Sequence, residues 1–398
     1  MSAGHRGVLA LSACQALLVV NNLTIVSVGS LAGFALAPDK NWSTLPATAY
    51  IAGGALSTYP ISLYMRRRGR RAGFTLGILA GMLGAAISTA AVWLHLFWMF
   101  CLGTLIAGAY NASGGYYRFA AADVAPAGSR GRGISLVLAG GLVGGILGPE
   151  STKLTKDLLS TAFLGSYGAL MLFALLALVV VRTLELPAPS VEERSGPMRP
   201  LAEIVRQPVF AVACLGAVTA YAVMNLLMGA TPLAMQICGL PYASAAMVIQ
   251  WHVVGMYAPA LVMGSIVQRI GPLRVMMAGV ATYFLCLAAA VSGQTTAHFW
   301  LSGLLLGIGW CALFVGATAL LTHTYAPAEK ARAQGVNDVA VFLVMGVSSA
   351  VSGGVLVRLG WNWLNYTALP LLCTTTLALA WLAWSRSGRS ALAASPVR

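Results

Sequence analysis

The amino-acid sequence predicts an all-α membrane protein whose twelve transmembrane helices form two six-helix, pseudo-symmetric bundles. Three observations support this prediction: an apolar composition, a series of helix-length apolar runs, and a repeat that relates the two halves. Of the 398 residues, 59% are hydrophobic and 9% are charged, whereas a soluble domain carries about 25% charged residues. So few charges cannot cover a soluble fold of this length. The composition therefore excludes a cytosolic enzyme, a disordered chain and a nucleic-acid-binding domain.

The apolar runs have the length of membrane-spanning helices, which need about 20 apolar residues each. The predicted spans lie near residues 8–35, 44–65, 72–94, 97–122, 133–154, 163–182, 208–230, 242–267, 273–292, 297–322, 334–357 and 363–384. The first run is too long for a signal peptide and lacks a convincing cleavage site, so it is interpreted as the first span. The 44 glycines favour close packing of helices in lipid.

The positions of Lys and Arg predict the orientation. With the N-terminus inside, 19 of the 24 basic residues face the cytoplasm and 4 lie at the outer side. This asymmetry follows the positive-inside rule. It predicts a multi-pass protein of the plasma membrane (the bacterial inner membrane) with both termini in the cytoplasm. It also explains the net charge of +14 without a nucleic-acid partner.

A polar segment at residues 183–207 is predicted to be a cytoplasmic linker between bundles at residues 1–182 and 208–398. Two interpretations are open for its end, from Arg199 to Arg206. It is either a short helix lying on the membrane surface or a solvated loop.

The two halves of the chain repeat each other at a nearly constant offset. Gly69 and Gly271 are separated by 202 residues, as are Trp98 and Trp300. Two further pairs match at offsets of 203 and 201: Asn22 with Asn225, and residues 125–127 with 326–328. Like-oriented repeats predict a cavity near the bilayer midplane, opened alternately to each side.

Three stretches resemble motifs of a known family. The loop after the second span contains Ser62, Arg66, Arg67, Gly69, Arg70 and Arg71, similar to G-x-x-x-[DE]-R-x-G-[RK]-[RK]. The loop after the fourth span contains Asp123, Pro126, Arg130 and Gly131, similar to an acidic-x-x-Pro-x-x-x-Arg-Gly signature. The fifth span contains Gly144, Gly148 and Pro149, similar to a G-x-x-x-G-P core. On these motifs the whole chain resembles the major facilitator superfamily of secondary transporters. Four positions depart from the pattern. Arg66 replaces an acid, and Thr104 stands where proton-coupled members often carry Arg. Thr152 and Lys153 replace the paired glycines expected after Gly148 and Pro149.

The resemblance implies secondary active transport of a small organic solute by alternating access, with protons as the coupling ion and efflux as one direction. The alternative is an uptake permease for an organic anion or metabolite, with Arg118 as the anion site. The expected partners are the substrate, protons and the lipid bilayer. The chain is expected to be a monomer without a cofactor and not an enzyme. A sensor or scaffold is disfavoured because no appended soluble domain is visible to relay a signal.

Polar groups inside spans predict where substrate binds, because each is unfavourable in lipid. Arg118, next to Tyr117, is interpreted either as a site for an anionic or carbonyl-bearing substrate or as a structural arginine. In the structural role it pairs with Asp123 or with carbonyl groups at the inner mouth. His252 either carries a coupling proton or binds substrate, or it is a packing histidine. The other substrate-binding candidates are side chains in the middle of spans: Asn21, Asn22, Asn111, Tyr221, Asn225 and Trp251. The amides among them either bind a neutral solute or link helices.

Candidate gating residues lie near the ends of spans. Asp338, one turn inside the eleventh span, is predicted to meet Arg66 or Arg67 and to close an inner gate. Glu150 lies three residues before Lys153, and this spacing predicts either an interfacial ion pair or an outer gate. Asp123 and Arg130 are the other candidate gating or coupling residues. The seven cysteines lack CxxC spacing and predict neither a disulfide nor a metal site.

Overall fold

The computed structural model describes residues 3–39, 42, 45–125, 128–187, 191–192 and 196–393. The helices before the linker are α1 (Ala3–Leu36), α2 (Leu45–Arg68), α3 (Arg70–Trp93), α4 (Phe97–Gly114), α5 (Tyr117–Val124), α6 (Arg130–Thr155) and α7 (Leu164–Thr183). The later helices are α8 (Leu201–Val205), α9 (Pro208–Ile237), α10 (Tyr242–Tyr257), α11 (Ala260–Ile270), α12 (Pro272–Val291), α13 (Thr296–Leu321), α14 (Lys330–Tyr366) and α15 (Leu369–Ala393). Each predicted span overlaps one or more of these helices, and residue 44, where the second span was predicted to begin, lies outside the described residues.

Within the ranges just given, nine helical segments are long and apolar enough to cross a membrane. The last of them runs from Pro327 to Ser385 and includes α14 and most of α15. The nine do not include α2, which ends in three arginines, or the shorter α4, which has 18 residues.

Three spans predicted to be continuous are interrupted, and another is longer than predicted. The twelfth, predicted at residues 363–384, is divided at residues 367–368 between α14 and α15. The fourth span divides into α4 and α5 at Gly115 and Tyr116, where glycine weakens the helix. The eighth divides into α10 and α11 at residues 258–259, because Pro259 lacks the amide hydrogen that a helix interior needs. The seventh was predicted to end near residue 230, but α9 continues through Pro232 to Ile237.

The sequence repeat has a backbone counterpart. Gly69 adopts φ 90° and ψ 163° before α3, and Gly271 adopts φ 86° and ψ 156° before α12. This region of backbone space is open essentially to glycine alone. Both halves therefore use a glycine to turn sharply from one helix into the next.

The described chain divides into two compact units, and the first comprises residues 1–198 together with 326–346. In this unit α4 packs between α2 and α3, and α1 packs against α6 and α7. Glycines permit these contacts: a Cβ at Gly108 would overlap the backbone of Tyr50, Gly53 and Gly54 on α2. The close helix packing expected from the glycine content is present here.

The second unit comprises residues 199–325 together with 347–398. Its centre is α13, which packs against α9, α10 and α12. The helix α14 thus begins in the first unit and continues in the second. The predicted division into residues 1–182, 183–207 and 208–398 stays a prediction.

The end of the predicted linker forms a helix, α8. Its Ile204 is buried, and the side chains of Arg199 and Gln207 both donate to the carbonyl oxygen of Thr324, at 3.2 and 2.9 Å. These contacts attach the segment to the second unit and favour the helical interpretation over a solvated loop.

Candidate functional site

A buried ion pair joins α5 to the first part of α14. Arg118 Nη2 lies 2.5 Å from Asp338 Oδ1, and the two side chains are 8% and 7% exposed. Asn337 Nδ2 donates to the same carboxylate oxygen at 2.8 Å. The break between α4 and α5 places Arg118 in the first turn of a new helix. Since two charges in a low-dielectric site need good hydrogen-bond geometry, this pair is a specific contact.

A second polar layer connects α3, α5 and α14. Asp123 Oδ2 accepts from Arg70 Nε at 3.3 Å and from Lys330 Nζ at 3.2 Å. Arg70 also donates through Nη2 to Gln334 Oε1 at 2.8 Å. Ser62 on α2 donates to the carbonyl oxygen of Ala331. The start of α14 is therefore attached to three helices of the first unit.

These contacts correct two predicted pairings. Asp338 was expected to meet Arg66 or Arg67, but its cation is Arg118. Arg66 and Arg67 lie in the last turn of α2, and Arg67 is exposed. The turn at Gly69 brings Arg70, rather than these residues, to the buried side. Arg118 was expected to pair with Asp123 if structural, but Asp123 is bound by Arg70 and Lys330.

The motif residue Arg130 lies at the surface of the protein. Arg130 is exposed at the first residue of α6, and Pro126 lies outside the described residues.

Glu150 and Lys153 form an ion pair of 2.6 Å whose side chains are 55% and 68% exposed. This geometry is that of a surface pair, which contributes little to stability.

A cluster of neutral polar side chains links α1, α2 and α4 in the first unit. Asn22 Nδ2 donates to Asn111 Oδ1 at 3.0 Å, and the Tyr50 hydroxyl donates to Asn22 Oδ1. Asn22 and Asn111 are half-buried. Asn21 is 1% exposed, and its Oδ1 has no hydrogen-bond partner among the residues described. Two predicted amides thus meet in one place, and Tyr50, which the sequence did not single out, joins them.

Tyr117 and the neighbouring aromatics pack inside the first unit. The Tyr117 ring lies 4.6 Å from that of Phe74, and Tyr117 is fully buried. The guanidinium of Arg118 lies 4.5 Å from the ring centroid of Phe119, within cation–π range. The structure therefore places Tyr117 in the core rather than beside an open substrate site.

In the second unit, His252 is buried where α10 meets α13. It is 2% exposed, and its Nδ1 lies 2.9 Å from the carbonyl oxygen of Gly303. A carbonyl only accepts, so Nδ1 carries a hydrogen, and when the ring is neutral Nε2 is the acceptor. Within the described chain Nε2 has no hydrogen-bond partner. The adjacent Trp251 is 42% exposed and packs edge-on against Trp300 at 5.8 Å.

Four rings from α9, α10 and α13 form an aromatic cluster: Tyr221, Tyr257, Trp310 and Phe314. Trp310 stacks on Phe314 with centroids 5.0 Å apart. Tyr221 meets Trp310 and Phe314 edge-on at 5.5 and 5.0 Å, and Tyr257 meets Trp310 at 5.8 Å. Asn225, one turn after Tyr221, donates to its carbonyl oxygen at 2.9 Å. Tyr257, which was not predicted, lies five residues after His252 on the same helix.

The chemistry of the site involves hydrogen bonding, stacking and ion pairing. Across the described ranges, no group of three His, Cys, Asp or Glu side chains is placed to hold a metal ion. In the described part of the chain, none of the seven cysteines forms a disulfide bond.

Comparison with known proteins identifies the class of protein. The profile of the Major Facilitator Superfamily matches residues 9–259 and 213–395. The chain belongs to the Major Facilitator Superfamily. It is a membrane transporter with the twelve-helix fold of that superfamily, and it is not an enzyme. Its partners are accordingly a small-molecule substrate and the membrane.

Two relatives in sequence are transporters. The riboflavin transporter RfnT of Brucella anthropi is 36% identical over 383 residues, covering 95% of this chain and 96% of that protein. The uncharacterized MFS-type transporter YdeG of Bacillus subtilis is 28% identical over 385 residues, covering 91% of this chain and 87% of that protein.

Solved structures share the fold. The Escherichia coli fucose:proton symporter FucP (N162A) gives a TM-score of 0.77 at 15% identity, over 96% of this chain and 99% of that one. A bacterial homologue of the iron transporter ferroportin, in an outward-facing state, gives 0.72 at 13% identity, over 97% and 100%.

Proposed function

We propose that this transporter moves riboflavin or a closely related flavin across the membrane. The observation that carries the proposal is the 36% identity to RfnT over 95% of this chain, which spans both compact units. Riboflavin is an uncharged molecule with a planar ring and a polyhydroxylated side chain. Its recognition therefore needs hydrogen-bonding amides and aromatic rings more than fixed charges.

The polar cluster of the first unit supports binding of a neutral solute. Asn22 and Asn111 present amides at a half-buried position, held in place by each other and by Tyr50. Amides both donate and accept, so they suit hydroxyl groups of either role. The buried Oδ1 of Asn21, which has no hydrogen-bond partner among the described residues, adds an acceptor for a hydroxyl group of the solute.

The ion pair argues against the organic-anion alternative. The guanidinium of Arg118 already contacts the carboxylate of Asp338 in a buried site. An anionic substrate would have to displace that carboxylate and leave it without its cation, which is strongly unfavourable. We therefore assign Arg118 and Asp338 to a gate that forms when the start of α14 packs against α5.

Proton coupling fits the same pair. Protonation of Asp338 would remove the negative charge that Arg118 neutralises and would weaken the gate. Arg118 and Asn337 contact this carboxylate directly, and Arg70 lies one turn away through Gln334. If substrate and protons move in the same direction, protons entering the cell drive uptake. If they move in opposite directions, protons entering the cell drive export. The direction of substrate transport therefore follows from how its movement is linked to that of protons.

Counterflow into proteoliposomes tests the substrate without requiring any coupling ion. Vesicles loaded with riboflavin are expected to take up labelled riboflavin, and organic anions are expected not to compete. Exchange of an organic anion without exchange of riboflavin would contradict the proposal. Lys153→Gln, in the exposed ion pair, serves as the reconstitution control.

An imposed pH gradient then tests coupling and direction. Wild-type vesicles are expected to accumulate or expel riboflavin against its gradient. Asp338→Asn is expected to slow counterflow, because it leaves the buried Arg118 without its anion, and to lose the response to pH, because its side chain cannot take up a proton. A full pH response in Asp338→Asn would exclude Asp338 as the proton carrier.

A further inference from the structure

A cavity opens in the first unit between the start of α1 and the end of α7. Its volume is about 240 Å³, and its lining residues are Arg6, Gly7, Ala10, Thr183, Leu184 and Glu185. Pockets for drug-sized ligands have volumes of about 300–1,000 Å³, whereas one water molecule occupies about 30 Å³ of the liquid. The cavity is therefore larger than a hydration site and smaller than a pocket for a drug-sized solute, and one polar head group matches its size.

Two residues of opposite charge line this cavity. Arg6 belongs to α1, and Glu185 follows the last residue of α7 by two positions. In the described part of the chain, neither residue forms an ion pair with the other or with a third residue. A cation and an anion that share a cavity without pairing are complementary to a ligand that carries one negative and one positive group.

Thr183 adds a hydrogen-bond acceptor near Glu185. Its hydroxyl donates to the carbonyl oxygen of Val180 at 2.8 Å, so the hydroxyl hydrogen is already used and the oxygen is left to accept. A primary ammonium group has three N–H donors. The carboxylate of Glu185 and the hydroxyl of Thr183 therefore favour a primary ammonium group over a quaternary one, which has no N–H to donate.

The cavity lies at the ends of two membrane spans. The segments His5–Ile25 and Leu164–Thr183 are each long and apolar enough to cross a membrane. The residues that line the cavity belong to the start of the first segment and to the end of the second. The hydrocarbon region of a bilayer ends where its spans end, and the lipid head groups begin there.

An apolar face of α7 leads to the cavity. Leu172, Leu175, Leu176 and Val179 are each 45–55% exposed, and their spacing places them along one face of the helix. Thr183 follows Val179 by four residues and continues the same face. A ligand with a polar head in the cavity and apolar chains along this face would bury both parts in matching surroundings.

Both walls of the cavity are attached to neighbouring helices. Arg71 Nη2 on α3 donates to the carbonyl oxygen of Arg182 at 2.5 Å, which fixes the end of α7. A Cβ at Gly7 would lie 3.7 Å from Cγ2 of Val124 on α5, so the start of α1 is in ordinary contact with that helix. A site formed in advance loses less entropy when a ligand binds.

We propose that this cavity binds the head group of a zwitterionic aminophospholipid. The phosphate lies at Arg6, the primary ammonium group lies at Glu185 and Thr183, and the acyl chains follow the apolar face of α7. An anionic lipid without an ammonium group would leave Glu185 facing a like charge. The proposal concerns a lipid bound at the surface of the protein and does not depend on which solute is transported.

Native mass spectrometry tests the site. The full-length protein is delipidated in detergent and mixed with equal amounts of phosphatidylethanolamine, phosphatidylcholine and phosphatidylglycerol. The wild type is expected to bind phosphatidylethanolamine as its first lipid, with a preference of about three- to tenfold over each of the others. Arg6→Gln is expected to weaken the first phosphatidylethanolamine by a similar factor. Glu185→Gln is expected to lose the preference over phosphatidylglycerol, because the repelling carboxylate is gone.

The matched controls remove the same charges elsewhere. Lys156 and Asp157 form an ion pair with exposed side chains outside the cavity, so Lys156→Gln and Asp157→Asn are expected to keep the wild-type preference. The preference is a ratio within one spectrum and does not depend on how much protein is folded. Thermal unfolding of each variant confirms that the folded protein was measured.

Three results would overturn the proposal. One is equal binding of the three lipids by the wild type, and another is a preference for phosphatidylethanolamine that survives in both Arg6→Gln and Glu185→Gln. The third is displacement of the first lipid by an equal concentration of free phosphoethanolamine, which would assign the cavity to a soluble ligand instead of a lipid.

Discussion

The buried ion pair between Arg118 and Asp338 allows a quantitative prediction. Removing one partner leaves the other charge buried without compensation, which destabilises a protein by about 3–5 kcal/mol. We therefore expect Asp338→Asn to lower the free energy of unfolding by that amount. The same energy corresponds to a change of about a hundredfold to a few thousandfold in the equilibrium between states with and without the pair.

The exposed pair between Glu150 and Lys153 is the internal comparison. The two charged atoms of the exposed pair are 2.6 Å apart, nearly the same distance as the 2.5 Å of the buried pair. The side chains of the exposed pair are 55% and 68% exposed, whereas those of the buried pair are 7% and 8% exposed. Because water screens exposed charges, Lys153→Gln is expected to cost less than about 1 kcal/mol. Burial of the charges, and not the distance between them, accounts for the expected difference in the free energy of unfolding.

A double-mutant cycle completes the assay. Denaturant titration in lipid–detergent micelles gives the free energy of unfolding for Arg118→Met, Asp338→Asn and both together. The double variant is expected to lose less than Asp338→Asn alone, since it contains no uncompensated charge. Strictly additive losses, or equal small losses in Asp338→Asn and Lys153→Gln, would refute the reasoning.

Three further predictions concern packing and turns, each measured as the midpoint of thermal unfolding in detergent. Gly108→Leu is expected to destabilise strongly, because its Cβ would overlap the backbone of α2, whereas Gly168→Leu, with no atom of the described chain within 4 Å of its Cβ, is expected to change little; equal effects would contradict the packing. Asn22→Leu leaves two hydrogen-bonding groups without a partner and is expected to cost about 1–3 kcal/mol and to weaken riboflavin exchange, whereas intact exchange would remove it from the site. Gly69→Ala and Gly271→Ala each force a side chain into a glycine-only region and are expected to cost about 1–3 kcal/mol, while an unchanged midpoint would show that the turn relaxes.

Much of the fold was predictable because partitioning into lipid is a local property of each segment. A run of about 20 apolar residues forms a membrane helix whatever its neighbours are. The interruptions at residues 115–116, 258–259 and 367–368 were missed, because the apolar character of the chain continues across them while the helical backbone does not. A Gly-Gly pair before Tyr116 and a proline at 259 were the available signals.

The partners of the charged residues were not predictable from position. Asp338 was assigned to the basic loop by analogy with the family pattern, but 220 residues separate it from its partner Arg118. Gln334 and Asp338 lie one turn apart on α14, a spacing that indicates a shared face but not which helix that face meets. In the same way, Asn22 and Asn111 were each singled out, while their contact depends on how α1 packs beside α4.

The sequence alone determined that this chain is a helical membrane protein, because hydrophobic length and charge asymmetry are encoded along the chain. Its motifs, which are also local, showed the resemblance to a superfamily of transporters. Only the tertiary structure decided that Arg118 neutralises Asp338 and that Tyr50 hydrogen-bonds to Asn22. It also decided that Tyr257 and Trp310 belong to one aromatic cluster. A pairing between distant residues is a property of packing geometry, and no local pattern of the chain records it.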